Sequence, residues 1–261
     1  MTPRIGIMTP AFGRVGSKAP MKKKVYSLMP KDKKVYVEPF VGGGAVFFGH
    51  DWGDTKVVLN DKDRELMSAY KILKKGFNME QAKKYDSKDL NQLKQWYKSS
   101  GGGDLARLVK FRLKSNNTFG SLGRGDLYAP TSPYNMLKKG EAYKNKLKDV
   151  TLLSENYKSV MRRYDSPQTF FYLDPPYNDS KRLYKEGEFN NEELANFLRT
   201  IKGKFLLSMN DSGENRKIFK GFKIRGVSVL GGGHNVGDAT GGQGGGVVGK
   251  GKRKELLISN Y

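Results

Sequence analysis

Four consecutive residues, Asp174-Pro175-Pro176-Tyr177, bring together groups suited to one kind of chemistry. They follow the apolar run Phe170-Phe171-Tyr172-Leu173. Two prolines at the end of a buried strand cannot continue its ladder, so the chain must turn outward there. The turn presents a carboxylate, proline carbonyls with no competing N–H, and an aromatic ring. The exocyclic amine of a nucleobase needs this set, because its lone pair is delocalised into the ring and attacks poorly. With Asp174 accepting one N–H and the Pro175 carbonyl the other, the nitrogen becomes more tetrahedral and can be aimed at a methyl donor. Tyr177 can stack on a base taken out of its helix. The competing reading is an ordinary strand-ending turn whose aspartate faces solvent.

A second constellation lies upstream, Glu38-Pro39-Phe40-Val41-Gly42-Gly43-Gly44, after an apolar run that starts at Lys34. A glycine-rich turn from strand to helix lets the backbone approach a ligand closely. Asp61 ends the next apolar run, where an acid can bind ribose hydroxyls. No Gly-Lys-Ser/Thr follows the glycines, so this is not a P-loop.

Taken in order over nearly the whole chain, these segments resemble the Dam-type, D12-class DNA methyltransferases that act on adenine N6. The segment Arg14-Val15-Gly16-Ser17-Lys18 is similar to the family's N-terminal cofactor motif: Lys18 matches it, and Arg14 stands where the family has Trp or Tyr. Val37 to Gly44 resembles the cofactor loop, which implies that Glu38, Phe40, Gly42 and Gly44 face S-adenosylmethionine, together with Asp61 at the ribose and Asp174. Phe119-Gly120-Ser121-Leu122-Gly123-Arg124 resembles the family's recognition hairpin. There Leu122 and Arg124 take the places of base-contacting residues, Phe119 that of an aromatic wedge, and Pro130 matches a later proline. Gly120 and Ser121 replace the family's Asn and Gly before that leucine. The resemblance implies S-adenosylmethionine as methyl donor with no metal, double-stranded DNA as partner, and a GATC-like target. It also implies a class I S-adenosylmethionine-dependent methyltransferase sheet, Rossmann-like, whose last two strands form a hairpin ending near Lys250 to Asn260.

The elements that must position these groups are legible in the chain itself. Apolar runs at Lys34 to Pro39, Lys56 to Asp61, Thr169 to Asp174, Lys204 to Met209, Phe222 to Val229 and Glu255 to Tyr261 read as strands. Helical stretches such as Asp63 to Lys75 and Asn191 to Ile201 lie between them. That alternation predicts an α/β, doubly wound sheet. From about Gly76 to Val150 the rhythm breaks into a polar, lysine-rich and mostly helical insert. Within it, Leu105 to Gly125 holds five basic residues and no acids. We therefore expect a catalytic domain from residues 1–61 and 151–261, and a target-recognition insert at 62–150. Gly231 to Gly251 has 11 glycines in 21 residues and reads as a mobile loop.

Composition narrows the partners. A net charge of +22, from 48 Lys and Arg against 26 Asp and Glu, points to a polyanion, although lysine-rich solubility surfaces also exist. Without cysteine there are no disulfides, no thiolate metal sites and no nucleophile for a cytosine C5 adduct. The two histidines, His50 and His234, read as surface or packing residues rather than zinc ligands. No signal peptide or membrane span is evident, so a cytoplasmic monomer, bacterial or virus-encoded, is expected. Methylation of adenine in RNA, of cytosine N4 in DNA, and a catalytically inactive nucleic-acid-binding protein stay open as alternatives.

Overall fold

A computed structural model describes residues 7–13, 18–117, 127, 131–176, 189–230 and 252–261. Among them, seven strands form one sheet: β1 (Val35–Glu38), β2 (Lys56–Asn60), β3 (Thr151–Leu153), β4 (Thr169–Leu173), β5 (Lys204–Asn210), β6 (Lys223–Leu230) and β7 (Lys252–Ser259). Their order is β3-β2-β1-β4-β5-β7-β6. The first five are parallel, and β7 enters antiparallel between β5 and β6. The helices that precede β3 are α1 (Lys22–Leu28), α2 (Ala45–Phe48), α3 (Arg64–Lys75), α4 (Met79–Ala82), α5 (Leu90–Lys98), α6 (Asp104–Asn117), α7 (Tyr134–Leu137) and α8 (Gly140–Leu147). After it come α9 (Tyr157–Tyr164), α10 (Asn191–Leu198) and α11 (Gly213–Ile218). This is the doubly wound α/β architecture expected, a class I methyltransferase sheet with helices added.

Alternation along the strands explains why both faces are covered. Tyr36, Phe170, Tyr172, Leu206 and Leu257 enter one apolar cluster. Their neighbours Val37, Phe171, Leu173, Phe205, Leu207, Leu256 and Ile258 enter the other. All five residues of β4 are buried, as a central parallel strand requires. Helix α3 begins at Asp63, whose side chain accepts from the Leu66 amide at 3.0 Å, and turns out at Gly76 with φ 83°. It buries Leu66, Met67, Tyr70, Ile72 and Leu73. Leu93 of α5, Leu108, Val109 and Leu113 of α6, and Leu147 of α8 join the same cluster as Tyr36 and Phe170. The helical segment thus shares the core of the sheet.

Six of the seven strands coincide with the apolar runs read from sequence. The seventh, β3, is three residues long and only half-buried, too short for alternation to register. The β6–β7 ladder runs to Leu230 opposite Lys252, so the expected hairpin forms, and its glycine-rich loop lies outside the described residues. His50 packs as expected, its ring 4.9 Å from Tyr26 and 4.7 Å from Trp52, whereas His234 lies outside the described residues. Among the described residues no helix is long and apolar enough to cross a membrane.

Candidate active site at the switch point of the sheet

From β1 the chain order runs outward on both sides, to β2 and β3 one way and to β4 and β5 the other, so the crevice beyond the carboxyl ends of β1 and β4 is where such a sheet binds ligands. Three strands bring acids there from the parallel part: Glu38 ends β1, Asp61 follows β2 and Asp174 follows β4. A fourth acid, Glu255, arrives on the antiparallel β7, opposite Asn210 at the carboxyl end of β5.

The glycine turn after β1 is built by backbone geometry. Gly42 and Gly44 adopt φ of 48° and 71°, the left-handed region that favours glycine. A β-carbon on Gly44 would stand 3.0 Å from the Phe48 ring and 3.1 Å from the Tyr70 hydroxyl. Asp61 splints the turn, since its Oδ2 accepts from the Gly42 amide at 2.9 Å and its Oδ1 from the Asp63 amide at 3.0 Å. Tyr70 of α3 donates to the Gly42 carbonyl at 2.9 Å. Asn60 closes the other side, donating to the carbonyls of Pro39 and Glu155 at 2.9 and 3.1 Å and accepting from the Glu155 amide at 2.9 Å. Phe40 packs against Tyr157 at the start of α9 and Phe189, with ring centroids 5.1 and 5.6 Å apart.

Asp174 is held from two directions. The Lys18 ammonium lies 2.8 Å from its Oδ1, and the Ser208 hydroxyl of β5 donates to the same oxygen at 3.1 Å. Ser208 in turn sits 3.3 Å from the Tyr172 hydroxyl. Lys18 is 4% exposed and also lies 3.7 Å from Oε2 of Glu255, which is wholly buried. Glu38 is 3% exposed and accepts from the Tyr36 hydroxyl at 2.9 Å. Burial pushes its carboxyl well above the usual range; the tyrosine bond opposes that shift, and the charges of Asp174 and Asp61 add to it.

The structure therefore gathers Lys18, Glu38, Phe40, Gly42, Gly44, Asp61 and Asp174 at one end of the sheet, with Pro175 and Pro176 directly after β4. Lys18, expected at the cofactor, rests on Asp174. Arg14, Tyr177, Phe119, Leu122, Arg124 and Pro130 lie outside the described residues. Sequence reasoning passed over Glu255, Ser208, Asn60 and Tyr157. The available signal was a polar residue within or heading an apolar strand, as in Glu255-Leu256-Leu257-Ile258 and Leu206-Leu207-Ser208-Met209. Asp61, Asp174 and the buried Glu38 and Glu255 give this crevice an acidic lining in a chain of net charge +22, with Lys18 set between Asp174 and Glu255. Among the described residues no group of three His, Asp or Glu side chains is arranged to hold a metal ion.

Comparison with known proteins gives the family. The family model described as D12 class N6 adenine-specific DNA methyltransferase matches residues 15–118 and 112–230. The type II methyltransferase M.CviBI of Paramecium bursaria Chlorella virus NC1A is 27% identical over 203 residues, covering 72% of this chain and 77% of the relative. The type II methyltransferase M.MjaIII of Methanocaldococcus jannaschii is 26% identical over 229 residues, covering 74% and 79%. With the matched residues spanning most of the chain, and the Asp-Pro-Pro turn standing at the switch point of its sheet, the chain belongs to the D12 class of N6 adenine-specific DNA methyltransferases, which take S-adenosylmethionine as methyl donor.

Proposed function

We propose that this protein methylates the N6 amine of an adenine turned out of duplex DNA, at a specific and GATC-like site. The observation that carries the reading is Asp174, fixed by Lys18 and Ser208 at the end of a fully buried strand and followed by two prolines. A carboxylate held in one orientation can accept an N–H of the target amine while the Pro175 carbonyl accepts the other. Tyr177 is the stacking partner in this reading. Proximity does most of the work, because the donor is already activated.

The residues present fit S-adenosylmethionine. The acid-rich crevice suits its cationic sulfonium and ammonium groups, and the left-handed glycines shape a turn after β1 whose backbone a ligand can approach closely. Glu38, Phe40, Gly42, Gly44, Asp61, Lys18 and Arg14 would hold it; when bound, it supplies a methyl group on positively charged sulfur. Asp61 has a second duty, since both of its oxygens already accept backbone amides. Residues 62–150 would form the target-recognition part, with Phe119, Leu122, Arg124 and Pro130 at the duplex, and the protein would act as a monomer inside the cell. Both relatives carry the name type II methyltransferase, in keeping with a defined target site.

Incubation with labelled S-adenosylmethionine and either duplex DNA or RNA, followed by nucleoside identification, tests the reading. N6-methyldeoxyadenosine from duplex DNA is expected. Label in RNA alone, or in N4-methylcytosine, would overturn it. Sequencing DNA after expression in a methylation-deficient host then gives the target site.

A further inference from the structure

The ion pair between Lys18 and Asp174 raises a difficulty. A buried ammonium 2.8 Å from a carboxylate neutralises it, and a neutralised Asp174 would attract the target amine weakly. Glu255 removes the difficulty. Strand β7 threads between β5 and β6, and its register sets Glu255 opposite Asn210 on one side and Val227 on the other. That brings a wholly buried carboxylate to 3.7 Å from the Lys18 ammonium. The distance is ion-pair contact rather than a hydrogen bond, so Lys18 keeps its short bond to Asp174. Formally, the trio of one lysine and two acids carries a charge of −1 instead of zero.

We infer that Glu255 is a positioning residue for methyl transfer: through Lys18 it orients Asp174 and keeps the trio negative where the target nitrogen becomes positive. The inference rests on Asp174 being the group that holds the amine. As transfer proceeds, the nitrogen lone pair forms the bond to the methyl carbon while the carbon–sulfur bond breaks. The electron pair of that bond stays on sulfur, which becomes neutral, and the nitrogen is cationic until one of its N–H protons passes to water. A fixed negative charge aimed at that nitrogen stabilises the transition state more than the ground state, and it acts strongly in a dry site.

Packing argues for function at this position. The residues that follow in β7, Leu256, Leu257 and Ile258, are apolar and buried, and a leucine-like residue at 255 would continue the pattern. Buried ion pairs are often matched or exceeded in stability by apolar replacements, so stability alone does not account for a buried acid there. Strand β7 also lies beyond residue 230, where the match to the family model stops.

The test is single-turnover methylation of DNA from a methylation-deficient host by the full chain carrying Glu255→Gln, which keeps the shape and removes the charge. The expected result is a rate at least tenfold lower, with S-adenosylmethionine affinity by calorimetry within twofold of the parent and an unfolding temperature equal or higher. In a Lys18→Met background, Glu255→Gln should lower the rate by a clearly smaller factor, because its orienting effect on Asp174 runs through the lysine and only the through-space charge effect remains. A parental rate in Glu255→Gln, an equal loss in both backgrounds, or a loss explained by weaker cofactor binding would each overturn the inference. Should the Gln variant not fold, Glu255→Asp replaces it. That change keeps the charge but draws it back by about 1.5 Å, one carbon–carbon bond, and a parental rate there would be equally damaging. Full turnover by Asp174→Ala would instead remove the reading of the site itself.

Discussion

Glu38 shows how a single buried carboxyl can set a pH dependence. Its partner is the neutral Tyr36 hydroxyl, Asp174 and Asp61 face it from the ends of β4 and β2, and Tyr26 and Tyr172 lie near, so the uncharged form is favoured in the folded state. In the unfolded chain the group titrates near the ordinary value of 4.5. Between that pH and the raised folded value, the folded state binds more protons, and stability falls as pH rises. Glu38→Gln should therefore raise the unfolding temperature, and the gain should widen as pH moves from about 4.5 toward neutrality. A gain that stays constant with pH, or a loss, would mean that the folded protein carries Glu38 ionised. Asp174→Ala makes the opposite kind of change. It should abolish methylation while leaving S-adenosylmethionine and DNA affinity within about tenfold, or ~1.4 kcal/mol; calorimetry and a binding titration beside the activity assay decide it. Asp174, Glu38 and Lys18 were legible because each sits in a short local pattern. Glu255 and Ser208 were not, since their meaning depends on which strand β7 lies beside, and nothing local to either residue encodes that.

At the scale of elements, the turn from β1 into α2 joins a steric demand to a backbone one. Gly44 and Gly53 share a left-handed backbone, yet a β-carbon at Gly44 meets Phe48 and Tyr70 while one at Gly53 meets nothing within 4 Å. Gly53→Ala should cost only the backbone term, about 1–2 kcal/mol. Gly44→Ala should cost roughly 1–3 kcal/mol more from overpacking, and should also weaken cofactor binding, since it distorts the loop that Asp61 and Tyr70 brace. Chemical denaturation and calorimetry on both variants give the comparison; equal stability losses would show that the turn relaxes freely. The long elements were readable because period and punctuation agree. Helix α3 has an aspartate cap, an apolar stripe and a terminal glycine. Strand β3 has none of these aids, and its place at the sheet edge is set by its pairing with β2.

For the molecule as a whole, charge is divided by location. Acids converge on the crevice while the chain carries +22 overall, so the cationic excess lies elsewhere. Affinity for non-specific duplex DNA should fall steeply as salt rises, because lysines and arginines displace condensed counterions. A flat plot of log affinity against log salt would show that the charge forms no DNA-facing surface. The helical segment between β2 and β3 packs into the same apolar cluster as the sheet. Heating should consequently give one cooperative transition, with circular dichroism and tryptophan fluorescence changing together.

The central pairing of the sheet also bears on how the protein is made. Strand β1 pairs with β4, residue 35 against residue 169, so the whole helical segment is synthesised between two neighbouring strands. A ribosome exposes Val35, Tyr36 and Val37 long before their β4 partners exist, and an unpaired apolar strand is a template for other nascent chains. Closing so long a loop makes contact order high and folding slow. Soluble yield should rise when synthesis is slowed by cooling, and refolding from denaturant should lose material to aggregation in proportion to protein concentration.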